Sequence, residues 1–389
     1  MRTIASLLLF FLCYQTMIGQ GKRNHYEFDH EIPVYIDSIQ ASLSYPLSWR
    51  NLKGEMSFDQ WRSKARDKVL ELMGPVPPMP DQWDVKTIAE ERRNGYVAKK
   101  IEFNLSRWYR VSAYLLVPET PYIASANRRY PAINLLHDHG AHLFIGKEKM
   151  IRPIHEDSIV TDDANKWVDN LYEGQYLGDY LAQNGYVVFS IDAPLWGERG
   201  RKEGVDRSRY DIIAGNMMML GRNLCAQMHY DDIRSTEFLS SLPYVDKKRI
   251  GCAGCSMGAY RSWMLSALSD DVKVGCSVCW MITTEDQLTL KYGRKENGGF
   301  ANCIPGLRNY LDYPDIASLA CPKPMLFISG TKDKLFPIPG VEKAYKQMHD
   351  VWDELKVGQK LVTHIIDQPH ECNLSNQAAI LSFFNQHLK

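Results

Sequence analysis

The sequence predicts an α/β fold on a mostly parallel, doubly wound sheet with an antiparallel edge, and three observations carry that expectation. From Tyr96 onward, short β-rich runs alternate with helical patterns, as strands joined by crossover helices do. Several of those runs are apolar at nearly every position, which suits strands covered on both faces. The length of 389 residues is enough for one large core with a small appended segment.

The elements follow in chain order. Arg2 and the apolar run Leu7–Leu12 read as a targeting segment too short to span a bilayer. Residues 1–20 are therefore expected to be a cleaved signal peptide, with a mature chain starting near Gly21 in the periplasm or outside the cell. Lipidation of Cys13 is disfavoured by the bulky Leu12, which stands where a lipoprotein signal needs a small residue. Residues 21–92 form an expected helical N-terminal extension, with Trp61, Val69, Leu70 and Leu72 as packing positions and GPVPPMP at 74–80 as its stop.

Residues 93–389 are the expected α/β domain. Its strands are placed at Val97–Phe103, Val111–Val117, Ala132–Leu136, Tyr186–Ile191, Ile250–Ala253, Val272–Val278, Met325–Ile328 and Val362–Ile366. The first two, joined near Ser106, would form the antiparallel edge. Helices are expected over Gln175–Asn184, Asn223–Leu242 and from Ser375, a good N-cap type, to Phe384.

Charge narrows the partners. With 46 basic and 46 acidic residues the formal charge is zero, which removes the broad electrostatic case for nucleic acid or an anionic membrane surface. A neutral or small-molecule partner fits better, and no stretch after the leader is apolar for long enough to be an integral membrane span. Nothing in the composition speaks to the oligomeric state.

The chemistry concentrates in KKRIGCAGCSMGAYRSWML, residues 247–265, which admits two incompatible readings. In one, Gly254-Cys255-Ser256-Met257-Gly258 is a sharp strand-to-helix turn that presents a nucleophilic serine. In the other, Cys252-x-x-Cys255 pairs with Cys276-x-x-Cys279, a spacing in the range of a four-cysteine zinc site. The setting decides for the turn, because a short apolar strand precedes it and a helical pattern follows. The cysteines lie in or at the ends of apolar strands, where small buried residues belong, whereas zinc knuckles use tight turns. No metal and no cofactor is expected.

A serine nucleophile needs a base and an acid, in the chain order Ser, Asp, His on such a sheet. Asp333 follows the strand PMLFISG and His370 follows the strand LVTHIID, so all three residues fall just beyond strand ends. The oxyanion hole would take one N–H from Met257 and a second from Gly140 or Ala141 in the loop INLLHDHGAH, leaving His137, Asp138, His139 and His142 to shape the loop or face substrate. Three histidines and an aspartate there also suggest a metal, a reading set aside because the loop occupies a hydrolase position.

With those residues in place the chain resembles the α/β-hydrolase superfamily, and within it the dienelactone hydrolase and acetyl xylan esterase-like branch. The likeness covers roughly Tyr96–Lys389 and rests on LLHDHGAH, SIDAPLWGERG, the segment ending in GCAGCSMG, the segment ending in GTKDKLFP, and QPHECN. It implies an α/β-hydrolase fold with Ser256 as nucleophile, Asp333 as acid and His370 as base. Glucuronoyl esterases carry an arginine directly after the serine; here Met257 stands there, so Arg199 or Arg222 would have to meet a uronate from another side. Trp196 and Trp280, in polar loops, are candidates to stack on a sugar, against the alternative of ordinary packing. The absence of a lid-like apolar insertion argues against a lipase.

The expected function is an exported serine esterase acting on a polysaccharide or its fragments through an acyl-enzyme. The alternatives are a lyase or dehydratase using the same serine-histidine site on uronic-acid oligosaccharides, and a non-catalytic hydrolase-like protein.

Overall fold

Among the described residues, nine strands form a single sheet in the order β1-β2-β3-β5-β4-β6-β7-β8-β9. They are β1 (Lys86–Arg93), β2 (Tyr96–Ser106), β3 (Tyr109–Pro118), β4 (Tyr130–Leu136), β5 (Val187–Ile191), β6 (Val245–Cys255), β7 (Val274–Val278), β8 (Met325–Gly330) and β9 (Leu361–Ile366). The computed structural model describes residues 31–120, 129–201, 207–288 and 299–389. The leader reading of residues 1–20, with Cys13 and the start near Gly21, lies outside them.

The chain divides into two units, Met1–Leu43 and Ser44–Lys389. The first contributes the helix α1 (Glu31–Ala41). All else below belongs to the second.

The pairings β1–β2, β2–β3 and β3–β5 are antiparallel and the remainder are parallel, so the expected mixed sheet is present. Each of the eight expected strands occurs, with shifted ends. The strand that sequence reading missed is β1, within the span assigned to the helical extension. Its sequence KTIAEERR is polar and mostly exposed, and an edge strand needs no apolar face to pair.

The parallel strands are buried because helices cover both faces: β4, β5, β7 and β8 are buried at every position. Alternation along β8 shows the two layers. Met325 and Phe327 join the core beneath α2 (Phe58–Met73), the start of α6 (Leu224–Ser241), α7 (Met257–Leu268) and α8 (Ile338–Glu354). Leu326 and Ile328 join the opposite core, closed by α3 (Ser158–Leu171), α4 (Leu177–Gln183) and α9 (Leu374–Leu388).

Helix α2 begins at a capping box between Ser57 and Gln60 and buries Trp61, Ala65, Val69 and Met73, one stripe at four-residue spacing. Leu70 and Leu72 flank that stripe and are only half-buried. The cap of α9 is Asn373, whose side chain accepts the Asn376 amide at 3.0 Å, rather than Ser375, which lies inside the helix. No described helix is long and apolar enough to cross a membrane.

The strand order positions the site. From β4 the chain first builds β5 on one side, then returns to build β6 on the other. Where successive connections leave a parallel strand in opposite directions, a crevice opens beyond the strand ends. The loop after β4 and the turn after β6 border that crevice.

Candidate active site

Ser256 stands between the end of β6 and the first turn of α7 with φ 56° and ψ −124°, a conformation few side-chain-bearing residues adopt. The flanking glycines make it possible. A Cβ on Gly258 would overlap the Leu136 carbonyl, and one on Gly254 would overlap both that carbonyl and the backbone of Gly258. The Ser256 amide donates to the Val278 carbonyl at 2.8 Å, which ties the turn to the end of β7. Expected strand and helix meet here one residue apart, as a nucleophile turn requires.

Ser256, Cys279, Asp333 and His370 follow β6, β7, β8 and β9, four neighbouring strands of the sheet. Asp333 is pinned by its own amide to Gly330 O at 3.2 Å, and its Oδ1 accepts the Leu335 amide at 2.8 Å. Its Oδ2 lies 2.6 Å from His370 Nδ1. Phe336 stacks on the imidazole at 6.1 Å, and the His370 side chain keeps 20% of its surface exposed against 2% for Asp333. Burial opposes a charge on His370, but the hydrogen bond to Asp333 and the charges of Cys279 and Asp333 outweigh it, pushing the pKa up to about 9.

Cys279 is the member that sequence reading missed, having assigned it to a buried strand. Its amide donates to Ile328 O at 2.7 Å, and its thiol lies 3.5 Å from Glu371 O and 3.9 Å from the Gln368 amide nitrogen. The hydrogen bond from Cys255 holds the Cys279 thiol below its ordinary pKa, against the effect of burial. Its place just beyond a strand end, the signal that marked Asp333 and His370, would have found it. Cys252 instead hydrogen-bonds Ser262 and Ser266, at 3.3 and 3.4 Å. The eight cysteines from Cys225 to Cys372 are all free thiols.

The loop after β4 is held from below by buried charge. Lys149 Nζ donates to the carbonyls of Asp138, His139 and His142 at 3.2, 3.2 and 3.0 Å and pairs with Asp138 Oδ1 at 3.3 Å. Lys147, equally buried, pairs with Glu148, Asp192 and Glu198 at 3.1, 3.0 and 3.1 Å. His137 accepts the Ala193 amide on Nε2 at 2.9 Å and directs Nδ1 to Asp138 O, so it is a structural, neutral histidine, its pKa pushed down by burial. His142 meets Asp163 at 2.5 Å and stacks on Trp167 at 5.2 Å.

Gly140 and Ala141 both take left-handed backbone, at φ 56° and 52°. The Ala141 amide donates to His139 Nδ1 at 2.9 Å, so of the two expected oxyanion donors it is already engaged. Met257 opens α7, so its amide is among those a helix N-terminus leaves unpaired.

The expected substrate contacts separate into those near the crevice and those spent on the fold. Trp196 is fully buried, donates Nε1 to His139 O at 3.2 Å and packs on His139, itself 5% exposed. Trp280 is 2% exposed among Tyr260, Tyr313 and Phe336. Neither indole presents a free face for a sugar. Arg199, with 16% of its side chain exposed, donates through Nη1 alone to Asp231 at 2.7 Å and to Asp192 O at 3.1 Å. Arg222 donates to Gly221 O at 3.3 Å and lies beside Tyr230.

Helix α5 (Arg207–Met219) packs Tyr210 against His139 and Trp196 and exposes Ile212, Met218 and Met219, with Leu220 following. Its residues lack a strong stripe, which hid it from periodicity.

Residues 44–369 match the model of the Abhydrolase family. A Bacillus subtilis (strain 168) protein designated a hydrolase, YtaP, is 26% identical over 291 residues, covering 75% of this chain and 88% of its own. Among solved structures, one designated an acetyl xylan esterase from Bacteroides fragilis superposes with a TM-score of 0.64 at 16% identity, over 88% of this chain and 84% of its own. A glucuronoyl esterase from Solibacter usitatus gives 0.59 at 14% identity, over 85% and 93%. Because the match to the family model runs through most of its length, the chain belongs to the Abhydrolase family.

Proposed function

We propose that the protein is an exported serine esterase that removes acyl groups from a polysaccharide or its fragments through an acyl-enzyme. The observation that carries the reading is the Asp333–His370 pair, with Nδ1 2.6 Å from Oδ2, beyond the ends of β8 and β9, together with the tight turn that holds Ser256 at the same end of the parallel strand β6. With Nδ1 engaged, Nε2 is the ring atom left to take the Ser256 proton and return it to the leaving alcohol. The amides of Met257 and Gly140 would hold the oxyanion of the tetrahedral intermediate. A water deprotonated by the same Nε2 would then attack the acyl-serine ester, releasing the acid and returning the proton to Ser256.

The carbohydrate substrate is supported by the likeness to an acetyl xylan esterase and a glucuronoyl esterase. Met257 directly after Ser256, where an arginine would meet a uronate, favours a neutral acyl ester. The export half rests on Arg2 and the short apolar run after it.

Incubating the purified protein with acetylated and with uronic-acid oligosaccharides, and weighing the products, tests the reading. Loss of acetyl groups is expected. Loss of water with an unsaturated sugar as product would replace the esterase by a lyase.

A further inference from the structure

Acyl transfer leaves one feature of the crevice unused. Cys279 Sγ, a carboxylate oxygen of Asp333 and a ring nitrogen of His370 all lie within 4.8 Å of one another. Donor atoms on one tetrahedral zinc stand roughly 3–4 Å apart, given bonds of about 2.0–2.3 Å, so small side-chain rotations bring this set to bonding distance. The chemistry of the set is specific. A thiolate and a carboxylate together cancel the charge of a divalent cation, which a site this enclosed demands, and sulfur with imidazole selects soft or borderline ions over Mg2+ or Ca2+. Access is through the exposed edge of His370, since Cys279 is fully buried and the Asp333 side chain is 2% exposed.

We propose that Cys279, Asp333 and His370 bind one soft or borderline divalent cation of the Zn2+ or Cd2+ class, and that its binding inhibits the enzyme by capturing the imidazole. On binding, Cys279 releases its thiol proton to water and its sulfur lone pair forms the metal bond. His370 likewise loses to water the proton on the ring nitrogen that binds, which then gives its lone pair to the metal, and the Asp333 carboxylate gives up its hydrogen bond with His370. No oxidant or reductant is involved. The cation is an inhibitor and not a cofactor, because the groups it takes are those that activate Ser256; this inhibitory half rests on the proposed role of His370 as base.

The test has two readouts. The first is the thiolate-to-cadmium charge-transfer absorbance as the purified full chain is titrated with Cd2+; the second is esterase turnover against Zn2+ concentration. The wild-type band should saturate at one equivalent, and Cys279→Ala should abolish it and, with inhibition scored against the variant's own zinc-free rate, raise the half-inhibiting zinc concentration by about tenfold or more. Cys279→Ser serves the same purpose should the alanine variant fold poorly. A cadmium band that persists without Cys279, or zinc inhibition equal in wild type and variant, overturns the site. A one-equivalent, Cys279-dependent band with undiminished turnover leaves the cation site standing and overturns the assignment of His370 as base.

Discussion

Arg261 and Asp232 form a fully buried two-point ion pair, Nη2 to Oδ1 at 2.6 Å and Nε to Oδ2 at 2.9 Å, between α7 and α6. The remaining arm of Arg261 donates to the His137 carbonyl at 3.3 Å, so the helix that follows Ser256 is tied to the loop after β4. A guanidinium stripped of its carboxylate in this position keeps its charge and loses its partner. Asp232→Ala should therefore cost about 3–5 kcal/mol of stability by urea unfolding. A loss under about 1 kcal/mol would mean that the pair behaves like one at the surface.

Two glycines should respond to alanine in opposite ways. Gly258→Ala puts a Cβ into the Leu136 carbonyl and should cost folded protein or activity outright, because backbone cannot yield as a side-chain tip can. Gly215, within α5, has open space around its missing Cβ. Gly215→Ala should stabilise the protein by roughly 0.5–1 kcal/mol through the helix preference of alanine. Thermal unfolding of the two variants side by side is the check.

The pH dependence follows from His370. A base must be unprotonated to accept the serine proton, and with its pKa pushed up to about 9 the free enzyme should gain kcat/KM steadily from neutral pH and level off near that value. Asp333→Asn removes the partner that raises it and should move the inflection to lower pH while lowering the plateau. Because the folded pKa lies above the ordinary 6.5, the interaction stabilises the fold fully below 6.5, and that contribution is lost as pH rises through about 9. An inflection unmoved by Asp333→Asn would contradict the assignment.

What the sequence disclosed follows from what periodicity reports. Fully apolar runs such as β4 and β8 announce buried strands, and residues just past their ends announce a site, which is how Asp333 and His370 were legible. The strand β1 was not, because an exposed edge carries no apolar signature. Arg199 and Trp196 were legible only as residue types. Their commitment to Asp231 and to His139 O is a matter of tertiary contact between segments far apart in sequence, which no local pattern encodes. Cys279 was hidden by its own strand, whose apolar run made the thiol look like core.

The leader reading has its own check. Protein recovered from its native host should have an intact mass corresponding to a start near Gly21 and should be found in the periplasm or medium. A cytosolic chain that retains Met1 would contradict export without touching the catalytic proposal.

The central claim, that Ser256 is a nucleophile activated by His370, is tested most directly by labelling with a fluorophosphonate probe and mapping the modified peptide. The label should fall on Ser256 within GCSMG, and Ser256→Ala and His370→Ala should each lose label and lower kcat by roughly three or more orders of magnitude, since such groups act as a unit. A Ser256→Ala enzyme that keeps most of its turnover while His370→Ala abolishes it would contradict the acyl-enzyme mechanism.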